Sequence, residues 1–302
     1  MTVRRNVKIA LLIIFIGLIV SFSTGFKYLQ EKSVYEQYEP WETESILSTI
    51  EENTPYDMLL MGSSHGRLFS RNRNHILMEE AFQGNIATIA GGSSCVIPAE
   101  VFLDVFYAKK NTADTVLYVI DPWCFYSDKY NTGYIFEYEP FDLTLFVSMI
   151  THQIDPKIIK NYLSRTLRQG QKPYVNKGVR PRTEKLQSVD EYAVNDRLLD
   201  LYEGDIARNS NAEYIDTFTR INRAAKKQNS EIINIIPPTL YTDPHYDKLK
   251  VILDENKLLY VDMSESITDP IYYYDHDHLN VEGVKMFLNK LKEEIASRQI
   301  EY

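Results

Sequence analysis

Residues 56–61, 85–89, 115–120, 231–236 and 258–261 are short runs that stay largely apolar along their length instead of alternating with polar residues. A strand that is apolar on both sides has to be covered on both sides, which is the mark of a parallel sheet between helical layers. Stretches of helical period separate the runs. In residues 98–109, for example, Val101, Phe102, Val105 and Phe106 fall on one side, and further such stretches lie at 212–228, 245–255 and 281–297. The alternation predicts an α/β fold, a three-layer α/β/α sandwich around a mainly parallel, flavodoxin-like sheet of about five strands. Residues 140–211 interrupt it without a convincing strand, as an inserted helical cap on a globular domain of residues 55–302. In open sheets of this kind ligands bind outside the carboxyl ends of the strands. There the chain places Gly62-Ser63-Ser64, Gly91-Gly92, Asp121-Pro122 and Pro237-Pro238.

The N-terminus addresses the chain. Arg4, Arg5 and Lys8 precede an apolar run from Ile9 to Phe22. At about 1.5 Å rise per residue, a helix over residues 7–26 spans roughly 30 Å of hydrocarbon, with the basic cluster on the cytoplasmic side. The expected organisation is a cytoplasmic and transmembrane segment at residues 1–26, a stalk at 27–54 and an extracytoplasmic domain, held to the cell membrane by a single pass. A cleaved signal peptide is the competing reading, since Ser21-Phe22-Ser23 offers small residues for cleavage; its weak resemblance to an A-x-A site favours a retained anchor. Two cysteines, Cys95 and Cys124, exclude a disulfide-stapled scaffold. Both follow predicted strands and so could fall at one sheet edge within bonding range; a single bridge is the lesser reading, and two unpaired, partly buried thiols are expected.

A net charge of -9 leaves no global positive field for nucleic acid. Against that background, residues 157–185 hold nine basic side chains and one acidic, Glu184. The bland account is a solvated surface; the sharper one is attraction for phosphate on a polymer or on lipid headgroups.

A serine becomes a nucleophile only when a base takes its proton and a carboxylate orients that base. Ser64 directly follows the first strand, and the N-terminus of the helix after it favours developing negative charge. Ser63 is the lesser candidate. Far downstream, Asp275 and His278 stand three apart in a turn, and Asn280 is placed to cap the helix starting at Val281. Gly62-Ser63-Ser64 together with Asp275-x-x-His278-Leu279-Asn280-x-x-Gly283 resembles the first and last blocks of the SGNH (GDSL-type) hydrolase superfamily. The first block has Ser63 where the usual motif has Asp. Within the superfamily the pattern, with Asp121-Pro122-Trp123 and the N-terminal anchor, looks most like the lipoteichoic-acid D-alanyl transfer proteins and the envelope-polysaccharide O-acyltransferases and esterases.

The resemblance implies Ser64 as nucleophile, His278 as base and Asp275 as its support. It also implies oxyanion donors among the N–H groups of Ser64, Gly91 and Gly92. The third block of the family normally gives an Asn side chain as a further donor. Here Asp121 stands at that turn and cannot donate when ionised, so it is expected to tie the strand end to a neighbouring loop. His65, Asp121, Trp123, Tyr274 and His276 are expected to border the pocket.

The implied function is a serine esterase or O-acyltransferase working without a cofactor on an acyl ester of an envelope glycopolymer. Its implied partners are a polysaccharide or teichoic-acid-like polymer and a membrane-bound acyltransferase. Two other readings stand beside it. One is a catalytically silent SGNH-fold protein that holds the polymer for the acyltransferase. The other is a metal-dependent hydrolase using the run Asp275-His276-Asp277-His278 with His65 as a further ligand.

Overall fold

The computed structural model describes residues 21, 24–25, 45–92, 94–169 and 181–299. The apolar run expected to anchor the chain and most of the stalk lie outside these residues, and no described helix is long and apolar enough to cross a membrane.

Five strands form one sheet: β1 (Pro55–Gly62), β2 (Ile86–Ala90), β3 (Thr112–Val119), β4 (Glu231–Ile236) and β5 (Tyr260–Asp262), in the order β2-β1-β3-β4-β5. Every neighbouring pair is parallel. The order reverses between β2 and β3, which leaves a crevice at the carboxyl end of β1. Strand β3 begins three residues before its apolar run because Thr112 pairs with Pro55 at the polar start of β1.

The helices described are α1 (Ser64–Leu68), α2 (Asn74–Phe82), α3 (Val96–Ala108), α4 (Leu143–Thr151), α5 (Pro156–Gln169), α6 (Glu191–Leu201), α7 (Ala212–Lys227), α8 (Tyr246–Glu255) and α9 (Val281–Gln299). Several of their starts follow from capping side chains. Asp190 accepts from the N–H groups of Tyr192 and Ala193, and Asn211 from that of Glu213. Asn280 Oδ1 accepts from Glu282 and Gly283, as its position suggests. Between residues 140 and 211 lie α4, α5 and α6.

Alternate residues of each central strand enter opposite layers. Leu59, Met61, Val116, Tyr118 and Ile232 pack with Phe102, Phe106 and Phe218 on one side. Leu60, Leu117, Val119, Ile233 and Ile235 pack with Phe69, Phe287 and Leu291 on the other. Each such side chain buried on folding stabilises by roughly 1.5–3 kcal/mol, so the runs have to be apolar throughout. The sheet is therefore stiff at its centre, and that rigidity is passed to the turns at its carboxyl edge.

Candidate active site

The turn after β1 exists because residue 62 is glycine. Its φ is +151°, and a Cβ there would lie 2.7 Å from the carbonyl oxygen of Val119. A side chain would push β1 off β3, so only glycine lets the chain turn here. The turn delivers two serines with different fates. Ser63 Oγ is buried and donates to Asp121 Oδ2 at 2.5 Å. Ser64 opens α1, and its Oγ is buried without a hydrogen-bond partner among the described residues. Helix α1 has only five residues, so its dipole is small; it contributes the first N–H groups of a helix, which have no intrahelical acceptor.

The second part of the site is a tight loop closed by the antiparallel bridge of Tyr273 with Leu279. Asp275 Oδ1 accepts from the backbone N–H of Asp277 at 2.8 Å and of His278 at 2.7 Å, which winds the loop around its own carboxylate. Both Asp275 oxygens lie 3.1 Å from His278 Nδ1. That contact holds the proton on Nδ1 and leaves the Nε2 lone pair as a base. The Tyr274 ring stacks on the imidazole, 10° from parallel with centroids 5.6 Å apart. Burial pushes the Asp275 carboxyl up, but the hydrogen bonds and charge of His278, with the two backbone N–H groups, hold it below its ordinary value. Its side chain is still 45% exposed, so this end of the site is open.

The turn and the loop meet. The rings of His65 and His278 lie 5.0 Å apart, centroid to centroid. His65 Nδ1 is 2.7 Å from Asp121 Oδ1, and Nε2 is 2.7 Å from the backbone oxygen of Asp277. Both partners are acceptors, so the ring carries both protons and is a buried cation. Burial alone would strip that charge; the carboxylates of Asp121 and Asp277 outweigh it and hold His65 well above its ordinary value. Asp277 in turn accepts from Arg197 Nη2 at 2.6 Å and from the Tyr241 hydroxyl at 2.6 Å. Burial raises its carboxyl, yet the charges of His65, His278 and Arg197 bring it well below the usual range. The result is a buried row of alternating charge, Asp121, His65, Asp277 and Arg197, stapling the edge of β3 to the His278 loop and to α6.

The other expected residues fall on both sides of this picture. Asp121 ties the end of β3 to the Ser63–His65 turn and offers no donor. The Gly91 N–H is spent on the Gly62 carbonyl at 3.2 Å, which leaves Gly92 of the two glycines. Trp123 is 2% exposed and packs edge-on against Tyr130, so it is core rather than pocket wall. The His276 ring turns outward, where Nε2 accepts from the Asp190 N–H at 2.9 Å. Tyr274 does border His278. The thiols of Cys95 and Cys124 are free and fully buried rather than partly so, with their sulfurs 2.8 Å apart.

Sequence reasoning missed Asp277 as the hub of the charge row and missed Arg67. The latter stands three residues after Ser64, a spacing that puts both on one helix face and was open to notice. Its Nη1 lies 3.8 Å from where a Cβ on Gly92 would be, and its charge lowers the Tyr274 hydroxyl against the burial that raises it to about 12.

Ligand atoms of His65, Asp277 and His278 lie within 4.8 Å of one another, the grouping that a metal reading requires. With both its nitrogens donating, His65 has no lone pair for a cation, and the group falls below the three ligands of a hydrolytic metal site.

No family model matches the sequence, and no curated protein matches it. Among solved structures, the chain is similar to a protein of Bacteroides fragilis described as a "putative acylhydrolase". The TM-score is 0.40 and the identity 12%, over 82% of this chain and 88% of that one. The chemistry of the site rests on its own geometry.

Proposed function

We propose that the chain is a membrane-anchored, extracytoplasmic serine esterase or O-acyltransferase of SGNH type, acting on an acyl ester of a cell-envelope glycopolymer. The carrying observation is that His65, next to Ser64 on the turn, lies 5.0 Å ring to ring from His278, whose Nδ1 is held by the Asp275 carboxylate; Ser64 Oγ has no hydrogen-bond partner among the described residues, so its approach to His278 Nε2 belongs to the complex with substrate. In this reading Ser64 Oγ attacks the acyl carbonyl carbon while His278 Nε2 takes the hydroxyl proton. The oxyanion that forms is met by the N–H groups of Ser64 and Gly92, and the Arg67 guanidinium supplies the further donor that Asp121 does not. His278, its positive charge supported by Asp275, then returns the proton to the leaving alcohol, and the acyl group rests on Ser64. Water or a hydroxyl of the acceptor reverses the sequence and frees the serine.

An open site favours a polymer. The exposure of Asp275 and the position of Arg182, whose guanidinium lies 5.2 Å from the centre of the Tyr274 ring, leave the base accessible from the side and flanked by positive charge. Cavities of about 550 Å³ and 300 Å³ lie elsewhere, around His152 with Arg220 and around Thr239 with Ser264.

Treatment of the full chain with a fluorophosphonate tests the reading: covalent labelling at Ser64, with ester cleavage lost in parallel, is the expected result. An unreactive Ser64 would leave the catalytically silent polymer-binding protein as the better account.

A further inference from the structure

We propose that the outer face of α4 is a seat for an anionic lipid bilayer, holding the domain down beside the membrane that anchors it. Leu143, Val147 and Ile150 are 42%, 52% and 52% exposed, and their spacing of four and three sets them in one line along the helix. Leu145 and Met149, on the opposite side, are fully buried, so the fold already has its share of this helix. Apolar side chains scattered singly on a surface are ordinary; three aligned on a helix of nine residues make a surface that wants cover. The helix that follows, α5, presents Lys157 and Lys160 as exposed cations, and neither makes an ion pair among the described residues. Of the nearby acids, Asp155 is exposed, whereas Asp104 is bonded to His152 and Asp142 to Lys109. An apolar stripe followed in the chain by exposed lysines fits the boundary between acyl chains and anionic headgroups better than it fits a protein core.

The path of the chain says why the occupant is lipid. At the first described residues of the domain, Glu139 accepts from Ser45 Oγ at 2.6 Å and from the N–H groups of Ile46 and Leu47 at 2.6 and 3.0 Å. Glu139 stands four residues before Leu143, so this tie and the start of the stripe are within about 14 Å of chain. Ile46 also packs at the oxyanion turn: its Cδ1 lies 3.3 Å from where a Cβ on Gly91 would be. Residues 45–47 are thus tied both to the Gly91 turn and to the segment that leads into the stripe. The inference rests on the reading of residues 7–26 as a membrane anchor, and residues 27–44 are long enough for the domain to lie down on the surface.

Val147→Cys in the full chain, carrying a polarity-sensitive fluorophore, tests the seat; Cys95 and Cys124 are 1% exposed and do not compete for the label. The probe is read in phosphatidylglycerol–phosphatidylcholine vesicles containing lipids brominated on their acyl chains. Val251→Cys, on α8 and also 52% exposed, is the reference. Blue-shifted, bromine-quenched emission at position 147 and unquenched emission at 251 are expected, with the quenching reduced in pure phosphatidylcholine. An unquenched probe on a chain that floats with the vesicles would overturn the seat while leaving the anchor standing. A blue shift in the vesicles without bromine quenching would overturn it in favour of a protein partner or a second copy. Failure to float would overturn anchor and seat alike. A chain with Val147→Asp and Ile150→Asp should still take a fluorophosphonate at Ser64 in detergent, so loss of the seat and loss of the enzyme are told apart.

Discussion

His65 bridges Asp121 and the backbone of Asp277 with both ring nitrogens at 2.7 Å, and so joins two turns that are more than two hundred residues apart in the chain. In the proposed reaction Ser64, next to His65, has to reach His278, and this bridge is what keeps the turn and the loop together. Replacing His65 by Leu leaves two buried carboxylates facing each other without the cation between them. Removing one member of a buried charge pair costs about 3–5 kcal/mol. Urea unfolding should show a loss of that size for His65→Leu, together with loss of ester turnover; a loss under about 1 kcal/mol would mean the ring is neutral and the bridge incidental.

The two serines of the turn should separate cleanly. Ser63 Oγ is committed to Asp121, whereas Ser64 Oγ has no partner among the described residues. Ser64→Ala and His278→Ala should each lower turnover by about a thousandfold or more while the fold survives. Ser63→Ala should still be labelled by a fluorophosphonate. Labelling that follows Ser63 instead would reverse the assignment.

Arg67 is expected to act in the transition state and not in binding the ester. Because it is offered as a donor to the charge that develops on the acyl oxygen, Arg67→Gln should lower kcat by about tenfold to a hundredfold, with KM for a small neutral ester little changed. Arg67→Lys should recover part of the loss. A change confined to KM would make this side chain a binding group rather than a stabiliser of the oxyanion.

Away from the site, His152 gives the fold a dependence on alkaline pH. The Asp104 carboxylate at 2.6 Å and that of Glu100 at 3.2 Å outweigh partial burial and raise the imidazole from 6.5 to about 9. A group that binds its proton more tightly when folded stabilises fully below the unfolded value, near 6.5, and loses that contribution as pH rises through about 9. The shift corresponds to about 3 kcal/mol at most. Unfolding midpoints measured below and above this window should fall for the native chain, and His152→Gln should flatten the decline. Equal declines in the two proteins would show that the alkaline loss has another source.

What the chain alone determined is what depends on local pattern. Continuous apolar runs required a sheet covered on both faces, and the five strands lie where those runs are, to within three residues at their starts. Asp275 and Asn280 act within a few residues of themselves, which is why the support of His278 and the cap of α9 were legible in order; the turn at Gly62 was legible too, although the Val119 carbonyl that demands a glycine there was not. The charge row was not. Asp121, His65, Asp277 and Arg197 come from four separate segments, and nothing in the spacing of any of them foretells that the sheet edge will stack them in alternating sign. Other contacts made only on folding decided that His276 turns outward, that Trp123 is core and that the Gly91 N–H is spent. A side chain's role at a sheet edge depends on which distant group reaches it first, and that competition is settled only when the layers pack.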